Sequence, residues 1–156
     1  MTVAEYIPLV WLKFKGKGRD KAPVSGPKWQ NILDITNLKL RDKWATDPQQ
    51  NWQSLFRVDT ATAATTIDLD EDVAKVVDNL TLSNSGQRIQ VPLVHPRHRN
   101  KYALCAYQSG SNPKTVNFNS AIPDQYVGGS VEIPVNTMPD KLTSSNDEII
   151  CDNLAW

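Results

Sequence analysis

Between residues 27 and 56, PKWQNILDITNLKLRDKWATDPQQNWQSLF, the apolar positions recur at the spacing of an amphipathic helix, and three of the chain's five tryptophans fall there. At about 100° per residue, Trp29, Ile32, Leu33, Thr36, Leu40 and Trp44 share one arc, the face a helix turns toward a core. Ile35 and Leu38 lie on the opposite side, three residues apart, so this helix is apolar on two sides and calls for a second partner. Pro27 suits its first turn and Pro48 ends it. Asp47-Pro48-Gln49-Gln50 then reads as the cap of a short helix with Trp52, Leu55 and Phe56 on one face. Upstream, Thr2-Val3-Ala4-Glu5 has the form of a capping box, and Val3, Tyr6, Ile7, Val10, Trp11 and Phe14 follow at helical spacing. Pro8 either kinks this helix or sits in the first turn of one that starts at Ile7.

At Arg57 the period changes. Residues 60–66 are small and β-branched, Ile67-Asp68-Leu69 alternates, Asp70-Glu71-Asp72 punctuates, and AKVVDNLTL resumes as strand. Ser83-Asn84-Ser85-Gly86 is turn chemistry, and residues 88–94 return as a strand that Pro92 confines to an edge or a bulge. Strand-like runs at 102–107 and 114–118 flank a turn at SGSNP. Residues 127–135 read as a bulged edge because of Gly128-Gly129 and Pro134. Short strands at this spacing predict a small antiparallel sandwich or barrel. Ser145-Asn146-Asp147-Glu148 forms another capping box, and Ile149, Ile150, Leu154 and Trp156 continue it at helical spacing, as a helix cut short inside a longer one. The expected fold is α+β: a helical part over 1–56, a β-rich part over 57–143, and a returning helix over 144–156 packed on the first.

At 156 residues the chain fits one domain with a real core. The N-terminus lacks the basic start and cleavage site of a secretory signal, and no apolar run reaches the roughly 18 residues of a membrane span, so a soluble cytosolic protein is expected. Cys105 and Cys151 read as small buried hydrophobes. The net charge of zero conceals blocks: nine Lys/Arg against four Asp/Glu over 1–43, two against seven over 44–80, five against none over 81–118, and one against six over 119–156. One domain can cancel these internally. Alternatively, a positive face of one copy meets a negative face of the next. Neither arrangement gives an overall field for gripping nucleic acid.

Two basic segments are candidates for contact with phosphate or an acidic partner: Lys13, Lys15, Lys17, Arg19 and Lys21 in a glycine-bearing loop, and Arg97, Arg99 and Lys101 around His95 and His98. The simpler reading of each is a solvated connection, because basic loops are common. The two histidines lack further ligands for a metal, and the carboxylates of Asp68, Asp70, Glu71 and Asp72 lack the spacing and glycine of a calcium loop. No phosphate-binding glycine loop, nucleophile elbow or Cys/His pairing is present, so neither catalysis nor a cofactor is expected. Asn79-Leu80-Thr81 matches the glycosylation triplet, which acts only on secreted chains.

The order of pieces carries a resemblance. A helix, a loop, a long helix with Asn37 and Trp44, the W-x-x-L-F of Trp52 to Phe56, a β-rich stretch and a terminal DEIICDNLAW together resemble the head-to-tail adaptor proteins of tailed bacteriophages, also called connector, neck or tail-tubular-A-like proteins. KYALCAYQSGSNPKTVNFNSAIPDQY looks like that family's hairpin. The resemblance implies a structural virion protein, made in the host cytoplasm, that forms a ring of twelve copies in the neck of the particle. It implies a portal protein above, a tail or nozzle protein below, and DNA passing through without sequence-specific binding. It carries no catalytic residue, no cofactor and no membrane contact. Ile35 and Leu38 would lie between copies, and the basic residues would meet portal, tail or phosphate. The alternative is a monomeric β-sandwich recognition module for carbohydrate or protein, with Tyr102, Tyr107 or Tyr126 as a stacking platform.

Overall fold

The amide of Thr2 donates to Glu5 Oε2 at 2.8 Å. This return half of a capping box starts α1 (Val3–Lys15). Pro8 lies inside α1, and both Pro8 and Ala4, whose carbonyl loses its donor, are exposed. Water can satisfy that carbonyl, which is how the helix passes through a proline. The computed structural model describes residues 1–15, 21–46, 53–110 and 114–149. The chain divides into two units, Met1–Ser54 with Pro139–Trp156, and Leu55–Met138.

In the first unit, α2 (Gly26–Thr46) buries Leu33, Thr36, Asn37 and Leu40, with Trp29, Ile32 and Trp44 half-buried beside them. This is the arc expected from the spacing. Thr36 Oγ1 donates to Ile32 O at 2.8 Å, so its hydroxyl is buried without being orphaned. Asn37 Nδ2 donates to Leu142 O at 2.9 Å and its Oδ1 accepts the Leu142 amide at 2.8 Å. One side chain thus imitates a strand partner and fixes the returning segment.

The terminal helix expected from Ser145 does not form over residues 144–149, and the rest of it lies outside the described residues. Its first acceptors are already in use. The carbonyls of Ser145 and Asp147 receive the amides of Ala4 and Val3, each at 2.9 Å, and Ile149 N donates to Met1 O at 2.9 Å. Thr2 and Glu148 form an antiparallel bridge. The segment therefore caps the open amides of α1. Asp147 does not cap forward either: Oδ2 accepts the amides of Thr143 and Ser144 at 2.6 and 2.8 Å.

Those bonds, the Thr143 amide first, hold the Asp147 carboxyl below its ordinary value, and the Thr2 amide does the same for Glu5. With the folded pKa below the unfolded one, the stabilisation is complete above the unfolded value and is lost as pH falls through the folded one. Acid unfolding followed by tryptophan emission should therefore steepen below about pH 4. All five tryptophans belong to this unit, which makes the probe selective. Asp147→Asn should flatten that acid limb; an unchanged limb would mean the carboxylate contributes nothing.

Among the described residues, the second unit holds eight strands. A five-stranded antiparallel sheet contains β1 (Phe56–Thr62), β3 (Val73–Val76), β4 (Leu80–Asn84), β5 (Gln87–Val91) and β8 (Ser130–Thr137) in the order β1-β8-β4-β5, with β3 also on β8. A three-stranded antiparallel sheet has the order β2-β7-β6, from β2 (Thr66–Asp68), β6 (Ala106–Ser109) and β7 (Thr115–Phe118). Val131, Ile133 and Val135 of β8, Leu80 and Leu82 of β4, Val91, Val116 and Phe118 form one buried cluster. Each such aliphatic side chain contributes about 1.5–3 kcal/mol by leaving water.

The α+β expectation, with helices at both ends of an inserted sandwich, is thus overturned. Most of the structure is a β-sheet domain with one N-terminal helix pair, and no C-terminal helix is present among the described residues. The Asp47 cap and Trp52 lie outside the described residues; Gln53–Leu55 is a single 3-10 turn, and Phe56 opens β1 instead of closing a helix. Nor is residue 134 on an edge. β8 is central, and Pro134 O accepts the Val77 amide at 3.0 Å. In an antiparallel strand the N and O of one residue face the same neighbour, so the absent N–H points toward β3 and β4. There β4 pairs with 130–132 and β3 with 135–137. The proline sits where the ladder passes from β3 to β4, keeping the acceptor half of its pairing with Val77 and forgoing only the return bond. No helix among the described residues is long and apolar enough to cross a membrane.

Candidate interaction surface

Beyond β5, Val94 N donates to Ala106 O and Ala106 N to Pro92 O, both at 2.9 Å. This short parallel bridge leads into the 3-10 helix Pro96–Lys101. His95 caps it, Nδ1 accepting the Arg97 amide at 3.3 Å. Asn119 anchors its far end: Oδ1 accepts Cys105 N at 2.8 Å, while Nδ2 donates to Arg99 O at 3.0 Å and Tyr102 O at 2.7 Å. Burial pushes the Cys105 thiol up, so it stays protonated and donates Sγ–H to Arg99 O at 3.5 Å. The turn is therefore a firm mount. It presents Arg97, His98, Arg99 and Lys101 to solvent.

Arg99 lies over the Tyr107 ring, 5.5 Å from its centroid, which restrains the guanidinium without neutralising it. Among the described residues, no ion pair joins Arg97, Arg99 or Lys101 to a carboxylate. Three uncompensated cations on one short turn favour an anionic partner. His95 and His98 meet edge to face at 6.2 Å, and no group of three or more potential metal ligands occurs among the described residues.

The acidic run is organised by a residue that the spacing did not single out. Arg57 donates Nε to Asp59 Oδ1 at 2.7 Å, Nη1 to Asp72 Oδ2 at 2.6 Å, and Nη2 to Asp72 Oδ1 at 3.0 Å and Asp70 Oδ2 at 3.2 Å. An internal cation thus gathers Asp59 with Asp70 and Asp72, two of the four carboxylates weighed as a calcium loop. Asp68 and Glu71 remain exposed at its margin. The signal was present in the alternation Phe56-Arg57-Val58-Asp59, which is strand-like but inverted. The charged side chains are half-buried and the apolar ones exposed.

The remaining candidates belong to the first unit. Lys13 is exposed on α1, Lys15 closes that helix, and Lys21 is exposed in the loop before α2, while Lys17 and Arg19 lie outside the described residues. Ile35 and Leu38 are 49% and 69% exposed on α2, so neither packs under α1. Leu9 and Leu12, 52% and 57% exposed, form a matching apolar pair on α1 that spacing did not pick out.

The tyrosines do not form one platform. Tyr126 is buried, Tyr107 is half-buried beneath Arg99, and Tyr102 is exposed. A shallow cleft lies at the β4–β5 turn beside Gly128, Gly129 and Ser130, and its lining contains no titratable side chain. No family model matches the chain, and no curated protein matches it.

Proposed function

We propose that this chain is a structural virion protein that assembles with its own copies into an adaptor ring between the portal and the tail of a tailed phage, extending the DNA channel. The observation that carries the reading is the pair of exposed apolar faces, Ile35 with Leu38 on α2 and Leu9 with Leu12 on α1. Exposed leucines and isoleucines grouped on helix faces are what a chain retains for contact with another protein. Two different faces, one per helix, suit a heterologous contact, in which one patch meets a different patch on the next copy and the repeat closes as a ring. The uncompensated cations of the 3-10 helix add a surface for an anionic neighbour, portal or tail. The phage assignment and the twelve copies rest on the resemblance of the sequence alone. DNA would pass through the ring without being read in sequence.

Native mass spectrometry of the full chain at rising concentration, alone and with the portal protein of the same virus, tests the reading. The expected result is a discrete high-order oligomer or a portal-bound complex. Ile35→Ser with Leu38→Ser should abolish it while leaving circular dichroism unchanged, because neither side chain fills the core. A chain that stays monomeric in both conditions overturns the proposal.

A further inference from the structure

The path β1-β8-β4-β5 of the five-stranded sheet ends in two open edges of opposite character. At one edge, β1 runs seven residues against β8 in continuous register with no bulge. Open edges are usually protected by lysine, proline, a bulge or a cover. The outward row of β1 has none of these residues: it is Phe56, Val58, Thr60 and Thr62, with Phe56 49% and Val58 51% exposed. At the other edge, β5 exposes Gln87, Arg88, Ile89 and Gln90.

The backbone groups at both edges can be assigned from the register. Positions 130, 132 and 134 of β8 face β4 and β3, so 131, 133 and 135 make the ladder to β1. Val58 and Thr60, opposite Pro134 and Glu132, therefore aim their N–H and C=O away from the sheet. The β4–β5 turn has Ser85 and Gly86 both at positive φ, the two-residue turn that makes Asn84 and Gln87 the closing bonded pair. By alternation, Arg88 and Gln90 aim their backbone groups outward.

Charge distinguishes the edges. Beside β1 stand Asp59, Asp70 and Asp72 around the single Arg57, with Asp68 and Glu71 exposed nearby. Arg88, paired with Glu132, lies on β5, and the chain beyond β5 leads through its bridge to β6 into the turn with Arg97, Arg99 and Lys101, which make no ion pair among the described residues. Pairing β1 with β1 would bring acid to acid, and pairing β5 with β5 would bring base to base, whereas β1 with β5 matches opposite signs. Direction agrees. Three antiparallel steps, β1 to β8 to β4 to β5, leave β5 running opposite to β1. A neighbour related by a head-to-tail repeat therefore presents its β1 antiparallel to this β5, ready to continue the ladder.

We propose that the sheet is extended between copies of this chain, the β1 edge of one adding antiparallel to the β5 edge of the next. The partner is a second copy, and the contact is main-chain strand addition guided by opposite charge. This deepens the ring reading and rests on it.

Thr60→Pro and Gln90→Pro each remove an outward donor without removing an internal ladder bond. Native mass spectrometry is run on the full chain under the conditions in which the unsubstituted protein assembles. Each variant alone should be monomeric. Their 1:1 mixture should give a two-chain species and nothing larger, because only the intact β5 of the Thr60→Pro chain and the intact β1 of the Gln90→Pro chain can pair. Should a proline variant fail by circular dichroism, Val58→Lys and Ile89→Lys replace the pair with the same expectation. Variants that assemble like the parent, or monomeric variants whose mixture yields no dimer, overturn the edge pairing while the ring stands. A parent chain that never assembles overturns both.

Discussion

Asn37→Ala is expected to lower the unfolding free energy by about 2–6 kcal/mol, because it leaves two buried backbone groups without partners at about 1–3 kcal/mol each. The side chain is 8% exposed, and both its bonds go to Leu142, the amide at 2.8 Å and the carbonyl at 2.9 Å. Leu142 is itself 3% exposed, so water does not replace the lost contacts at low cost. The anchored segment also caps α1 through the carbonyls of Ser145 and Asp147. Loosening it therefore exposes helix-terminal amides as well. Urea unfolding read by tryptophan emission checks this. Asn37→Asp should be nearly as damaging, since a carboxylate oxygen would then face the Leu142 carbonyl. A midpoint within experimental error of the parent would show that the clamp is dispensable.

Gly129→Ala is expected to cost about 3 kcal/mol, the upper end of the range for overpacking a fixed backbone. A Cβ at 129 would fall within contact distance of Ser83 O and 2.7 Å from Asn84 Cβ. Neither neighbour can withdraw easily. Ser83 is paired to both β5 and β8, and Asn84 Nδ2 donates to Gln125 O at 2.9 Å. Gly128 provides the contrast: a Cβ there meets nothing within 4 Å, but its φ is +75°. Gly128→Ala should therefore cost only the left-handed backbone penalty of about 1–2 kcal/mol. Thermal unfolding of the two variants should separate them. Equal losses would mean that the close approach of residue 129 to β4 relaxes without cost.

Much of the local structure was legible because it follows from short-range chemistry. The Thr2–Glu5 box, the buried arc of α2, the turn at residues 83–86 and the strand at 114–118 each depend on residues a few positions apart. What was not legible depends on competition at long range. Ser145-Asn146-Asp147-Glu148 is a sound helix start by composition, but the N-terminus of α1 takes its carbonyls first. Pro134 marks an edge by composition, but the interval between β3 and β4 lets it sit at the centre of a sheet. Phe56 was assigned to a helix face because the apolar and charged residues of β1 alternate in the inverted sense, with charge turned inward onto Asp70 and Asp72.

The candidate surface divides in the same way. Sequence alone determined that cations collect over residues 81–118 and carboxylates over 44–80, and that α2 has apolar residues on its far side, since composition and helical period need no partner to be read. Only the tertiary structure decided that Ile35 and Leu38 stay exposed, that Arg57 gathers the acidic turn, and that the cations of residues 97–101 are mounted beside β6. Those facts depend on strand order and register, which are set by which distant segments bury their apolar faces together. No local spacing encodes that choice.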